Sequence, residues 1–151
     1  MKSISPFLWF DNNIGEAIDL YTSVFPDVVV HGINRGPDGT VFSAEFDVAG
    51  QHLRALNGGP HFTFNEAISF FVECDDQAEV DRFWDALIAN GGQPSQCGWL
   101  KDPFGLSWQI IPTQFLTMMS DPDSEKVQRV MAAMQTMGKL DVSGLQAAYD
   151  G

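Results

Sequence analysis

Two stretches decide the fold: EAIDLYTSV at residues 16–24 and EVDRFWDAL at residues 79–87. In the first, Ala17, Leu20, Tyr21 and Val24 follow the i, i+3, i+4, i+7 spacing of a helix with one buried face; in the second, Val80, Phe83, Trp84 and Leu87 do the same. Each is preceded by a cap signal, Asp11-Asn12-Asn13 in one case and Asp75-Asp76 in the other. Before each cap lies an apolar, aromatic run, Ile4 to Phe10 and Ala67 to Cys74, that reads as a buried strand. Strand, cap and helix recur together and in the same order, so the chain is read as a duplication.

Working outward, Phe25-Pro26 ends the first helix, and three strands are expected at Val28 to Asn34, Val41 to Val48 and His52 to Leu56. Gly36-Pro37-Asp38-Gly39 and Ala49-Gly50-Gln51 supply the turns between them. The second helix stops at Gly91-Gly92. Short strands follow around Pro94 to Cys97 and Trp99 to Leu100, then a stronger one from Leu106 to Ile111. Each half therefore reads β-α-β-β-β, an α+β arrangement, with a domain over 1–119 divided at about 60/61 and a helical extension over 120–151. In that extension Ser120-Asp121-Pro122 predicts a helix start, and Val127, Val130, Met131, Met134 and Met137 form an apolar stripe ending at Gly138. Such a stripe packs on the domain or across a dimer, with an adaptable methionine groove as the alternative. A second short helix is expected after Asp141.

Composition narrows the function. A 44% hydrophobic, 12% aromatic chain of 151 residues folds as a globular domain. Eight Lys and Arg against twenty Asp and Glu leave a net charge of -12, which repels phosphate backbones and anionic lipid surfaces. Nucleic-acid and membrane partners are therefore not expected. No apolar run reaches the length of a membrane span, and the N-terminal residues carry no signal-peptide core. With only Cys74 and Cys97 and no disulfide framework, free thiols in the cytoplasm are the expectation.

Longer strings carry a family resemblance. Pro6-Phe7-Leu8-Trp9-Phe10-Asp11-Asn12, the segment Ala55-Leu56-Asn57-Gly58-Gly59-Pro60 with Phe62 and Phe64, and Cys97 to Ile110 with its Asp102-Pro103-Phe104-Gly105 turn resemble the PhnB-like branch of the vicinal-oxygen-chelate, or glyoxalase-like, superfamily. Arg129-Val130-Met131 and Lys139-Leu140-Asp141 resemble one subgroup of it, often labelled 3-demethylubiquinone-9 3-methyltransferase-like. The resemblance implies two βαβββ modules whose curled mixed sheets surround a cavity. In metal-dependent relatives a divalent ion is held there by residues of the first and last strands of each module.

At those positions this sequence offers Trp9 among Ser5, Phe7 and Trp9, then Asn57, then Ala67 or Ser69, then Gln109. None is anionic, so no tightly bound metal is expected and no cofactor is assigned. His31, His52 and His61 share no ligand spacing and are read as surface or structural, with His61 after Gly58-Gly59-Pro60 the one that could face a cavity mouth. What remains is an aromatic cavity with neutral polar groups: Trp9, Asn57, Ser69 and Gln109 lining it, Trp99 and Phe104 at its rim. Taken alone, Trp9 and Phe104 read as core, whereas Asn57 and Gln109 favour a lined cavity. Asp102 is expected to tie its own turn together. Ser69 has no His partner for a hydrolytic triad, and Gly58-Gly59 precedes a strand, not the helix an S-adenosylmethionine loop needs. The expectation is a small-molecule-binding homodimer. The alternatives are a metal-dependent isomerase, lyase or dioxygenase, and last the methyltransferase of the subgroup's label.

Overall fold

A computed structural model describes residues 3–151, which fall into two compact units divided between Phe64 and Asn65. The first unit contains β1 (Phe7–Phe10), α1 (Ile14–Val24), β2 (Val28–Arg35), β3 (Val41–Val48) and β4 (Gln51–Asn57). Its sheet runs β1-β4-β3-β2, with β1 parallel to β4 and the other pairs antiparallel. Alternation along the strands splits the side chains between two faces. Leu8, Phe10, Ala44, Phe46, Val48, Leu53 and Ala55 are buried beneath α1, which contributes Ile14, Ala17, Ile18, Tyr21 and Val24. Tyr21 stacks on Phe46 at 6.5 Å. Burial of each of the larger side chains contributes about 1.5–3 kcal/mol, enough to fix which face the helix covers.

The cap of α1 is built differently from the local expectation. Asn13 stands at the N-cap, yet its side chain makes no capping bond, and its buried Oδ1 has no hydrogen-bond partner among the described residues. The bond to the helix start comes instead from Asn57, whose Oδ1 accepts from Ile14 N at 3.2 Å while its Nδ2 donates to Val41 O at 3.0 Å. One amide at the end of β4 thus joins helix, edge loop and sheet.

The second unit has β5 (Ser69–Cys74), α2 (Gln77–Ile88), β6 (Gln93–Pro94), β7 (Trp99–Lys101) and β8 (Ser107–Pro112), in the sheet order β5-β8-β7-β6. It repeats the topology of the first unit, with β5 parallel to β8. β5 begins at Ser69 and not at Ala67, whose N–H donates to Asn65 Oδ1 at 2.9 Å in a turn. The Asp76 cap is reciprocal: its Oδ1 accepts from Glu79 N at 2.9 Å, and Glu79 Oε2 accepts from Asp75 N at 3.0 Å. Val80, Phe83, Trp84 and Leu87 of α2 are all buried, as their spacing predicts.

A helix the sequence did not suggest, α3 (Thr113–Met119), precedes the extension, which has the two helices expected of it, α4 (Ser124–Met134) and α5 (Val142–Asp150). α3 follows β8 directly, with Pro112 at its N-cap and no capping side chain. The start expected at Ser120-Asp121-Pro122 lies further on. Asp123 is the cap of α4, accepting from Glu125 N and Lys126 N, and Asp121 only ties Asp123 N at 2.8 Å. Part of the stripe packs within this unit: Val130, Met118, Leu140 and Leu145 form a buried cluster with Ile111 of β8, flanked by Met134 and Met137, while Met131 is exposed. Gln77 clamps the extension to α2 by donating to Leu140 O at 3.1 Å and accepting from Val142 N at 2.7 Å. Gly98 is required where the extension crosses the sheet, since a Cβ there would lie 2.9 Å from Ile111 Cδ1 and 3.1 Å from Ile110 O.

Candidate functional site

Each sheet leaves one face without a helix of its own module. In the second unit that face carries Ser69, Trp99, Lys101, Ser107 and Gln109, because Trp99 pairs with Gln109, Lys101 with Ser107, and Ser107 with Ser69. Gln109 Nε2 donates to Ser69 Oγ at 2.9 Å, so these two expected site residues are adjacent and hold each other. Beside them lies a cavity of about 350 Å³ walled by Trp99, Pro94, Ser95, Leu100 and Ser107, with Glu66 and Lys101 at its edge. Lys101 Nζ and Glu66 Oε1 are paired at 2.6 Å, and the ammonium holds the Glu66 carboxyl below its ordinary range.

Ser107 is the residue the sequence reading missed. It is fully buried, and its Oγ has no hydrogen-bond partner among the described residues. The signal was available: two residues before Gln109 on the same strand, Ser107 must share its face. A buried hydroxyl without a partner costs about 1–3 kcal/mol, so it needs an explanation.

Phe104 is half-buried and belongs to the turn, not to this wall. The turn is held by Asp102, whose Oδ1 accepts from Phe104 N at 2.9 Å and Leu106 N at 3.0 Å while Oδ2 accepts from Trp108 Nε1 at 3.0 Å.

In the first unit, Trp9 lies on the open face opposite Leu56. Its indole N–H donates to Gly59 O at 2.8 Å, and its ring meets Phe62 edge-on at 5.0 Å. The ring lies so close to Gly58 that a Cβ there would be 2.1 Å from Trp9 Cζ2. The glycine pair is thus a bed for Trp9. Asn57 lies on the other face, toward α1, and borders an open cleft of about 870 Å³ with Asn12, Glu16, Thr40 and Phe42. It is Leu56, not Asn57, that shares the face of Trp9. Where the resemblance implies metal ligands, this unit therefore carries Trp9 and Leu56, and the other unit Ser69 and Gln109. Neither pair, an indole with an alkyl chain or a hydroxyl with a carboxamide, supplies the anionic or imidazole donors that hold a divalent ion tightly.

The histidines are placed otherwise than their sequence spacing implied. His61 is exposed, but His31 and His52 come together on the open face, ring centroids 5.6 Å apart, on either side of Asp47. Hydrogen bonds from His31 and then His52 hold the Asp47 carboxyl below its ordinary range.

Two four-stranded βαβββ sheets with this strand order define a glyoxalase-like protein of the vicinal-oxygen-chelate superfamily, in its PhnB-like branch. The profile of the 3-demethylubiquinone-9 3-methyltransferase family matches residues 2–111, and the chain belongs to that family. Among solved structures it is similar to a PhnB protein from Bacillus cereus, at 29% identity and a TM-score of 0.67 over 74% of this chain and 99% of that one. A Pseudomonas aeruginosa protein shares the fold at 20% identity and a TM-score of 0.59, covering 74% and 98% of the two chains. So does the fosfomycin resistance protein of Listeria monocytogenes complexed with Mn(II) and sulfate, at 12% identity and 0.54, covering 72% and 89%. No curated protein matches the sequence significantly.

Proposed function

We propose that the protein binds a small, partly apolar organic molecule in the cavity of its second unit, without a tightly held metal at the family's usual positions. The observation that carries this reading is Ser107: a fully buried hydroxyl, lacking a partner among the described residues, on the wall of a cavity of about 350 Å³. That volume falls within the ~300–1,000 Å³ typical of small-molecule sites. Trp99 offers a flat apolar wall for a ring and the Lys101–Glu66 pair a charged rim, while the Ser107 hydroxyl stands just behind the wall, within reach of a ligand that displaces the lining slightly. A planar molecule with one polar group on its buried edge and one at its outer end suits this set.

The methyl transfer named in the family's description is not carried over. The Gly58-Gly59 pair serves Trp9 packing, and the segment after it leads to β5 and not to a helix N-terminus that would cradle a cofactor's charged end.

A fragment screen by ligand-observed NMR, using single-ring compounds with one hydrogen-bonding group, tests the reading. Hits should weaken about tenfold in Ser107→Ala, the effect of one lost hydrogen bond, and more in Trp99→Ala. Ser107→Ala should leave the unliganded protein as stable as the parent or more so, since it removes a buried group without a partner. Binding that ignores both substitutions, or a Ser107→Ala protein that is markedly destabilised, overturns the proposal.

A further inference from the structure

On the open face of the first sheet, three strands bring two imidazoles and a carboxylate to one point. Asp47 of β3 lies directly opposite His52 of β4, and its Oδ1 is 2.6 Å from His52 Nδ1. From β2, His31 Nε2 reaches the other oxygen, Oδ2, at 2.8 Å. One ligand atom from each of these residues lies within 4.8 Å of the others.

The backbone is shaped for this meeting. β2 and β3 pair regularly at Val30 and Phe46, then shift so that Gly32, not His31, stands opposite Glu45. His31 is the extra residue of a β-bulge, a feature that re-aims a side chain. Gly32 beside it adds no side chain over Glu45. The extra residue leaves the ladder and its ring leans to Asp47.

Glu45 completes the arrangement from outside. Its Oε1 lies 2.9 Å from His52 Nε2 and is held at 3.0 Å by Arg54 Nη2 from the opposite position of β4. A neutral imidazole carries one N–H. If Glu45 takes the N–H of Nε2, the Nδ1 lone pair faces the Asp47 carboxylate, and either a proton or a metal ion must lie between these two atoms at 2.6 Å. A carboxylate on the far nitrogen of a histidine is also the usual outer support of a metal-bound imidazole.

We propose that His31, Asp47 and His52 bind one borderline divalent transition-metal ion, zinc in the first instance, with Glu45 orienting His52. Two nitrogens and one carboxylate oxygen are the donor types such an ion prefers, and three protein ligands leave a position for water or another ligand. Bonds of about 2.0–2.2 Å at tetrahedral angles separate ligand atoms by about 3.3 Å, so the two His–Asp contacts must open by roughly 0.5–0.7 Å. Side chains that are 27–43% exposed can make that adjustment. The net charge of -12 favours cation capture generally, but only here among the described residues do His, Cys, Asp and Glu groups converge in this way. The site is distinct from the position the resemblance implies for a metal: His52 lies near the start of β4, about 13 Å of extended strand from Leu56 near its other end.

The test uses the full chain, purified without an affinity tag and stripped with chelator. Zinc is titrated calorimetrically, and cobalt(II) is followed by its visible absorption bands. The expected result is one ion per chain, with cobalt bands of a nitrogen- and oxygen-ligated, low-coordinate ion. His31→Ala and His52→Ala should each lower affinity at least tenfold, and Glu45→Gln about tenfold through its support of His52. Because these side chains are partly exposed, circular dichroism of each metal-free variant should match the parent. Zinc or cobalt binding that is absent in the parent, or unchanged in the His31→Ala and His52→Ala variants, overturns the proposal.

Discussion

Exchanging Asp102 for Asn should expose how the Asp-Pro-Phe-Gly turn is held. Asp102 is 2% exposed, its Oδ1 takes the N–H groups of Phe104 and Leu106, and its Oδ2 takes the Trp108 indole. Hydrogen bonds to a charged group contribute about 1.5–3 kcal/mol each. Asn keeps one oxygen for the two backbone donors but turns an NH₂ against the Trp108 N–H, donor facing donor. One charge-assisted bond is lost and two are weakened by about half. Relief of a buried charge offsets part of this, leaving a net loss of about 2–3 kcal/mol. With a urea m-value near ~2 kcal/mol/M, the unfolding midpoint should fall by about 1–1.5 M. Trp108→Phe removes the opposing donor, so the double variant should be less destabilised than the sum of the two single changes, by about 1–2 kcal/mol. An Asp102→Asn protein within ~0.5 kcal/mol of the parent, the scatter of ordinary surface changes, would refute this account of the turn. So would strict additivity in the double variant.

Other outcomes follow from single contacts. Asn57→Ala should cost about 2 kcal/mol, since it leaves Ile14 N and Val41 O without their partner, and hydrogen exchange should speed up in the first turn of α1 before the rest of the unit. Gly58→Ala should shift Trp9 fluorescence and lower the melting temperature, because a Cβ at 2.1 Å from Cζ2 must displace a ring or a strand end; unchanged emission would count against it. Burial and then the Glu79 charge push the Cys74 thiol up to about 12, so at pH 8 a thiol reagent should modify Cys97 in the folded protein and reach Cys74 only on unfolding. The hydrogen bond between Tyr149 and Asp121 lowers the carboxyl and raises the phenol. Its acid-side contribution is present above the ordinary carboxyl value of 3.8 and fades as pH falls through the lowered one. Its alkaline-side contribution is present below the phenol's ordinary 10.0 and fades as pH rises through the raised value. Tyr149→Phe should flatten both limbs of a melting-temperature profile; an unchanged profile would remove this contact from the account.

Much of the fold was legible because each half states its elements locally. Helical spacing set the buried faces of α1 and α2, and the Asp76 and Asp141 caps stand where their side chains suggested. α3 was not legible for the opposite reason. It starts at Thr113 behind Pro112 with no capping side chain, and only its packing beside Ile111 makes it a helix. Pro122 misled because proline suits the first helical position, while the oxygens of Asp121 and Asp123 organise the turn and delay α4 to Ser124.

The candidate sites depend on register, and register is what a single sequence states least clearly. The end of β4 is the sharpest case. The sequence reading turned Asn57 inward, but Trp9 pairs with Leu56 and Phe10 with Asn57, so the amide turns to α1 and the leucine to the open face. A shift of one residue moves every side chain to the other face, and nothing in Ala55-Leu56-Asn57 distinguishes the two choices before the partner strand is known. The same physics hid the histidines. His31 and His52 share no local period; they meet because β3 lies between their strands, and a one-residue bulge lets His31 lean toward Asp47. Ser69 and Gln109 fall on one face because β5 and β8 are parallel and long enough for alternation to be read from either end. Chemistry carried by one strand's alternation is thus readable from sequence. Chemistry assembled across a bulge is readable only once the ladder is seen, which is why the metal site proposed here needs the structure.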